Sequence, residues 1–235
     1  MSNDNNDPHY ARKPCIASIF MRNVDQKTVE LQRNVVAKFN KSNIQFYHLL
    51  TDGSHGATMT QVIPMLKDRG HDAIMFLDID CVPLNFTALD YMFNAAYNGK
   101  LVGDAQRSNH IENGQHVFCG AHNITFTVEN YEKMGKPSFE PTARGDVAEE
   151  LTWRARESNI DVEILMPLKY DAPPIRMAWE TNAEPFWRLA DGMPNYGIGT
   201  TYGIDKEEMF WHCWQIFHPG QQQRFWTKCE ELLNG

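Results

Sequence analysis

The stretch Ala73-Ile74-Met75-Phe76-Leu77-Asp78-Ile79-Asp80 constrains this chain more than any other, because five apolar residues run directly into two carboxylates at i and i+2. A short continuous apolar run predicts a strand buried on both faces, as in a parallel sheet. Asp78 and Asp80 then stand where that strand leaves the sheet, and in open α/β sheets ligands bind at the carboxyl ends of strands. At a spacing of two residues both side chains point to one face. Two carboxylates so placed repel each other unless a cation lies beside them. Hard oxygen ligands suit Mg²⁺ or Mn²⁺, which also bind substrate phosphates. The structural alternative is a solvated turn after a core strand.

The residues before this stretch alternate between strand and helix patterns. Residues 15–21 are apolar enough for a strand, and Val29, Val35, Val36 and Phe39 mark an amphipathic helix over 28–39. A second strand over 44–50 closes at Thr51-Asp52-Gly53-Ser54, a turn cluster. A second helix follows over 58–69, with a kink expected at Pro64. Strand–helix–strand–helix–strand predicts a doubly wound α/β sheet. Beyond the acidic pair, Thr87 is the expected N-cap of a helix over 88–97 and Gly99 its C′ residue. A short strand over 101–103, a polar loop over 104–115 and an apolar stretch over 116–126 come next, then a short helix over 128–134. Asp146 is the expected cap of a helix over 147–158, and a late strand covers 162–168. From Ala172 the chain is rich in Pro, Gly, Trp and Tyr without periodicity, which predicts a long binding loop or lid before a closing helix over 225–233. Residues 1–13, rich in Asn and Asp, read as a disordered arm, and 14–235 as a single domain.

Composition excludes several classes of function. The net charge of −8 and the lack of a basic block argue against nucleic acid or an anionic membrane as the main partner. There is no apolar run long enough for a transmembrane segment and no signal-peptide pattern, so a cytoplasmic protein is expected. The five cysteines form no C-x-x-C pair and predict buried thiols rather than a zinc site or a disulfide framework. Oligomeric state is not legible.

Taken together, these motifs resemble those of GT-A glycosyltransferases. Phe76-Leu77-Asp78-Ile79-Asp80-Cys81-Val82-Pro83-Leu84 is similar to their Asp-x-Asp motif, and Phe118 to Phe126, with Gly120 and Asn123, is similar to the strand that follows near the donor sugar. Asp146-Val147-Ala148-Glu149-Glu150-Leu151 stands where the family places an acidic residue opening a helix under the acceptor site. His218-Pro219-Gly220, with Arg224 and Trp226, resembles the carboxy-terminal His-x-x-Gly…Lys-Pro-Trp signature of the glycogenin-like branch, with the Gly one residue early and Arg near the usual Lys. The resemblance implies a GT-A fold, with a single Rossmann-like mixed sheet flanked by helices. It also implies transfer of a sugar from a nucleoside-diphosphate sugar to the hydroxyl of a carbohydrate or other acceptor, with Mn²⁺ or Mg²⁺. Asp78 and Asp80 would hold the ion, Asp78 lying nearer the ribose, with Asn123, Gly220 and Arg224 around the donor.

The chemistry asks for these residue types. A departing nucleoside diphosphate carries at least two negative charges, which a divalent ion neutralises, and a carboxylate on the acceptor side can deprotonate the attacking hydroxyl. Asp146 is the first expectation for that base, with Glu149 and Glu150 behind it. The expected third ligand is His218 rather than His212: His218 leads into the turn at Pro219-Gly220, whereas His212 sits inside the cluster Phe210-Trp211-His212-Cys213-Trp214. An imidazole with carboxylates favours Mn²⁺ over Mg²⁺. Two other readings compete. One is a haloacid dehalogenase-type phosphohydrolase, with Asp78 to Val82 and Gly145 to Glu150 as its motifs. The other is a sugar-nucleotide-binding protein without catalysis.

Overall fold

The computed structural model describes residues 12–108, 116–172, 197–218 and 220–235. β1 (Pro14–Met21) leads to α1 (Gln26–Phe39), where the Asp25 side chain accepts from the Lys27 amide. β2 (Gln45–Thr51) leads to α2 (His55–Asp68), where Ser54 caps the helix by accepting from the Ala57 amide. Pro64 lies inside α2, and the helix continues through it. β3 (Ala73–Leu77) is wholly buried. β4 (Cys81–Pro83) follows after three residues, then α3 (Ala88–Tyr97). Gly99, at φ +86°, ends that helix in the left-handed region that glycine adopts without steric cost. Thr87 makes no side-chain capping bond; Asn85 Oδ1 does so, accepting from the Thr87 and Ala88 amides.

β5 (Leu101–Arg107) is longer than the expected three-residue strand and carries the buried Asp104 in its middle. β6 (Val117–Thr127) and α4 (Val128–Lys133) follow. α5 (Glu149–Glu157) starts later than expected, after Ala148 in the left-handed region at φ +65°, so Asp146 is not its cap. β7 (Val162–Lys169) is the late strand. β8 (Thr200–Ile204) and β9 (Glu207–His212) form a hairpin where an irregular loop is expected from sequence. α6 (Gln221–Asn234) closes the chain. Most of the expected arm and part of the expected loop, including Trp179, Trp187 and Tyr196, lie outside the described residues.

The nine strands form one mixed sheet in the order β2-β1-β3-β6-β5-β7-β8-β9-β4. β2, β1 and β3 are mutually parallel, as a doubly wound sheet requires, and β5 and β7 are parallel. β6 runs antiparallel to both β3 and β5, and β7, β8, β9 and β4 form an antiparallel run, so the sheet is mixed. β3 and β4 stand third and ninth in this order, yet Asp78, Ile79 and Asp80 alone separate them in sequence. Six strand spacings on a flat sheet would be about 29 Å, whereas so short a link spans about 14 Å at most. The sheet therefore curls until its last strand returns beside the end of β3.

Side chains on β3 alternate between two cores. Ile74 and Phe76 pack with Met59 and Leu66 of α2, Leu151 of α5 and Phe139. Ala73, Met75 and Leu77 face Met92 and Phe93 of α3, with Tyr202 and Phe210. A third cluster joins α1 to α6 through Val35, Phe39, Phe225 and Cys229, and reaches Val82 and Trp211. Helices thus cover both faces of a mixed α/β sheet. All five cysteines are buried free thiols. Among the described residues, no helix is long and apolar enough to cross a membrane.

Candidate metal centre

The turn that joins β3 to β4 carries both carboxylates and is tied down along its backbone. The Asp78 amide donates to the His122 carbonyl at 2.8 Å, extending the β3–β6 ladder by one residue, and the Cys81 amide donates to the Asp78 carbonyl at 2.9 Å. The Cys213 amide donates to the Asp80 carbonyl at 2.9 Å. From α1, the buried Gln32 side chain donates through Nε2 to the carbonyls of Asp78 and Cys81, the latter at 3.0 Å. Its Oε1 accepts from His48 Nε2 at 2.8 Å. Burial and then the Arg33 charge bring the His48 pKa down to about 4, so at neutral pH it is an uncharged donor here.

Register places a histidine beside these acids. β4 pairs antiparallel with β9 so that Cys81 faces His212. His212 Nε2 lies 3.0 Å from Asp80 Oδ1 and 4.0 Å from Asp78 Oδ2. One ligand atom from each of Asp78, Asp80 and His212 lies within 4.8 Å of the others, and this is the one such group of His, Cys, Asp or Glu among the described residues. The sequence led to His218, and not His212, as the third member of this group; the group within 4.8 Å contains His212. His218 belongs to the turn after β9, where its amide donates to the Gln215 carbonyl at 2.8 Å. The β4–β9 register instead brings forward the residue expected to be a packing histidine.

The acids open onto a cavity of about 230 Å³. Its walls are the carboxyl end of β1 (Ile19, Phe20, Met21), Thr51 and His55 at the β2–α2 junction, the Asp78–Asp80 turn, and the segment Trp214 to Phe217. This is the edge at which an α/β sheet binds ligands. Trp214 and Gln215 both adopt left-handed backbone, at φ +60° and +55°, a conformation that costs non-glycine residues about 1 kcal/mol or more each. Backbone strain of this kind clusters at ligand sites.

Electrostatics inside the turn favour a cation. Burial raises the Asp78 pKa; His55 opposes that rise, Asp80 adds to it, and His212 opposes it. A positive charge between the carboxylates would relieve both burial and repulsion. Behind His212 lies a second row of polar groups. The His122 ring stacks on His212 at 4.5 Å between centroids, and its Nε2 lies 3.9 Å from Asp104 Oδ2. Asn123 Nδ2 donates to Asp104 Oδ1 at 3.0 Å. Burial raises the Asp104 pKa well above its ordinary value against that hydrogen bond, and burial, then His212, lowers that of His122, so burial disfavours charge on both. Asp104 Oδ2, His122 Nε2, Asn123 Oδ1 and His212 Nδ1 are buried without a hydrogen-bond partner among the described residues. Such orphaned atoms are few in folded proteins.

The other expected site residues lie outside the acidic cluster. Asn123 belongs to this inner row and not to the cavity wall. Glu149 is fully buried and accepts from Ser108 Oγ, the Asp146 amide and His116. Burial alone would raise its pKa, but these bonds bring it below the usual range. Glu150 is held by Arg144 and Arg154 and lines a different cavity with them. Asp146 is half-buried and accepts from the Val147 amide through Oδ1. Arg224 Nη1 lies 4.0 Å from Asp171, and Gly220 is the exposed left-handed residue before α6. A phosphohydrolase motif at Gly145-Asp146 would have to follow a strand; here it precedes α5, with an isolated bridge from Thr142 to Gly145.

Two members of the site escape a reading of the sequence, His212 and His55. His55 follows a turn cluster that ends a strand, the same placement that singles out Asp78. His212 ends a run rich in Phe and Trp, the composition of a strand.

No protein-family model matches the chain, and no curated protein matches it. Solved structures similar to it include a glycosyltransferase involved in the glycosylation of the major capsid of PBCV-1, at 8% identity and TM-score 0.46, covering 93% of this chain and 100% of that one. A protein described as a nucleotide-diphospho-sugar transferase from Desulfovibrio desulfuricans G20 aligns at 12% identity and TM-score 0.43, over 66% of this chain and 80% of its own. A cytidylyltransferase from Leptospira borgpetersenii aligns at 14% identity and TM-score 0.44, over 66% and 76%. At such scores these likenesses carry no weight in the functional reading, which rests on the residues.

Proposed function

We propose that this chain is a metal-dependent glycosyltransferase of the GT-A kind, moving a sugar from a nucleoside-diphosphate sugar to an acceptor hydroxyl. The observation that supports it is the convergence of Asp78, Asp80 and His212 at the carboxyl ends of β1, β2 and β3, beside a cavity. Two oxygens and one nitrogen form a donor set suited to Mn²⁺, with Mg²⁺ the weaker fit. A divalent ion held there supplies Lewis-acid charge for a departing diphosphate.

The chain's own residues do the rest. Asp80, from the β3–β4 turn, and His212, at the end of β9, would hold the ion, and the Gln32 bonds keep the turn from swinging. Ile19, Phe20 and Phe217 give the cavity an apolar wall against which a nucleoside would pack. Asp146 is the proposed acceptor base; Glu149 and Glu150 are assigned to the fold, since their oxygens are committed to hydrogen bonds and arginines.

The experiment is release of nucleoside diphosphate from a panel of sugar nucleotides with Mn²⁺, beside a generic phosphatase substrate. Turnover of a sugar nucleotide that chelation abolishes is the expected result. Turnover of the phosphatase substrate alone overturns the reading. Mn²⁺-dependent nucleotide binding without turnover leaves a binding protein.

A further inference from the structure

Asp78 stands between two imidazoles. Its Oδ2 faces His212 at 4.0 Å, and its Oδ1 faces His55 Nε2 at 3.3 Å. His55 is the first residue of α2, in the parallel half of the sheet, whereas His212 ends β9 in the antiparallel half. The His55 nitrogens do not belong to the set of ligand atoms that lie within 4.8 Å of one another. His55 is therefore next to the metal group but outside it.

We infer that His55 is a positioning residue: by holding Oδ1 of Asp78 it turns Oδ2 toward the ion. This rests on the metal reading above and adds to it the division of labour between the two oxygens of Asp78. Ligating carboxylates are commonly oriented by an outer hydrogen-bond partner, and loss of that partner typically lowers metal affinity about 10- to 100-fold. The fold itself asks little of His55. Its side chain is 36% exposed, and the capping bond at this helix end comes from Ser54. Asp78 is its one ion-pair or hydrogen-bonded side-chain partner among the described residues. The assignment also revises the expected role of Asp78. A carboxylate held on one side by His55 and facing His212 on the other is a ligand to the ion, not chiefly a ribose contact.

The test is Mn²⁺ affinity of the full chain, read by the loss of the free-ion signal in electron paramagnetic resonance. It compares the unaltered protein with His55→Ala, His55→Gln and Asp80→Ala. His55→Ala should weaken Mn²⁺ binding about tenfold or more at unchanged Tm. His55→Gln should restore most of it, since its amide nitrogen can reach the place of Nε2. Unchanged affinity in His55→Ala, a loss matched by a fall in Tm, or failure of glutamine to rescue would each overturn the assignment while leaving the metal site standing. If the unaltered protein binds no Mn²⁺, or Asp80→Ala binds it equally well, the metal reading itself falls and this one with it.

Discussion

Gln32 gives the sharpest test of how the acidic turn is held. Replacing it with leucine keeps the volume and removes three hydrogen bonds: those to the carbonyls of Asp78 and Cys81, and that from His48. The Asp78 carbonyl keeps the Cys81 amide as a second donor, so its loss is partial. The Cys81 carbonyl and His48 Nε2 each lose a partner. At about 1 kcal/mol net per buried hydrogen bond, rising where a group is left unpaired, the substitution should cost about 2–4 kcal/mol. For a chain of this size that is a fall in Tm of roughly 5–15 °C. Mn²⁺ affinity should fall with it, because the carboxylates sit on the loosened turn. Urea denaturation and Mn²⁺ titration of Gln32→Leu measure the two effects. His48→Phe, which removes one of the three bonds, should cost less, and the double variant should show non-additivity, since both residues share one network. Stability within about 0.5 kcal/mol of the parent, the range of an ordinary surface substitution, together with unaltered Mn²⁺ binding, would refute the idea that α1 holds the turn.

Three further expectations can be checked with the same protein. His212→Ala should abolish Mn²⁺-dependent nucleotide binding and His218→Ala should preserve it, as calorimetry will show; the reverse pattern would remove His212 from the site. Asp146→Asn should lower kcat with donor affinity intact, whereas lowered thermal stability with normal turnover would make it a structural residue. Glu150 has its pKa lowered chiefly by the hydrogen bond from Arg144. A folded pKa below the unfolded one means stability that is present above the ordinary glutamate range, about pH 4.3, and lost as pH falls through the folded value. Denaturation midpoints from pH 7 to 3 should fall less steeply for Glu150→Gln, and parallel curves would contradict the assignment.

The first half of the fold was legible because its signals are local. Apolar periodicity marks β1 through β3 and the helices between them, although α1 and α2 begin two and three residues earlier than the periodicity indicates, at the caps Asp25 and Ser54. The β8–β9 hairpin was not legible. Its turn places Asp205 and Lys206 at φ +48° and +72°, a geometry that usually announces itself through Asn-Gly or Asp-Gly. With lysine in the glycine position, the composition reads as loop. β5 was cut short because Asp104 is an acid within a strand, and buried acids are rare. The acidic pair was legible from its place after an apolar run. Its histidine was not, because the pairing of Cys81 with His212 joins parts of the chain far apart in sequence and leaves no local trace.

The curled sheet also has a consequence for synthesis. Asp80 and His212 are 132 residues apart, so at a synthesis rate of about 5–20 residues per second the acids wait roughly 7–26 s for their imidazole. Until then β4 has no neighbour, and a short strand bearing an unpaired edge is what the growing chain exposes. A nascent chain stopped before β9 would hold the two aspartates without the residue that completes their ligand set. On the proposed metal reading, ion binding would have to wait until β9 has been made, and a truncation that removes β9 would cost the imidazole and unpair β4 together.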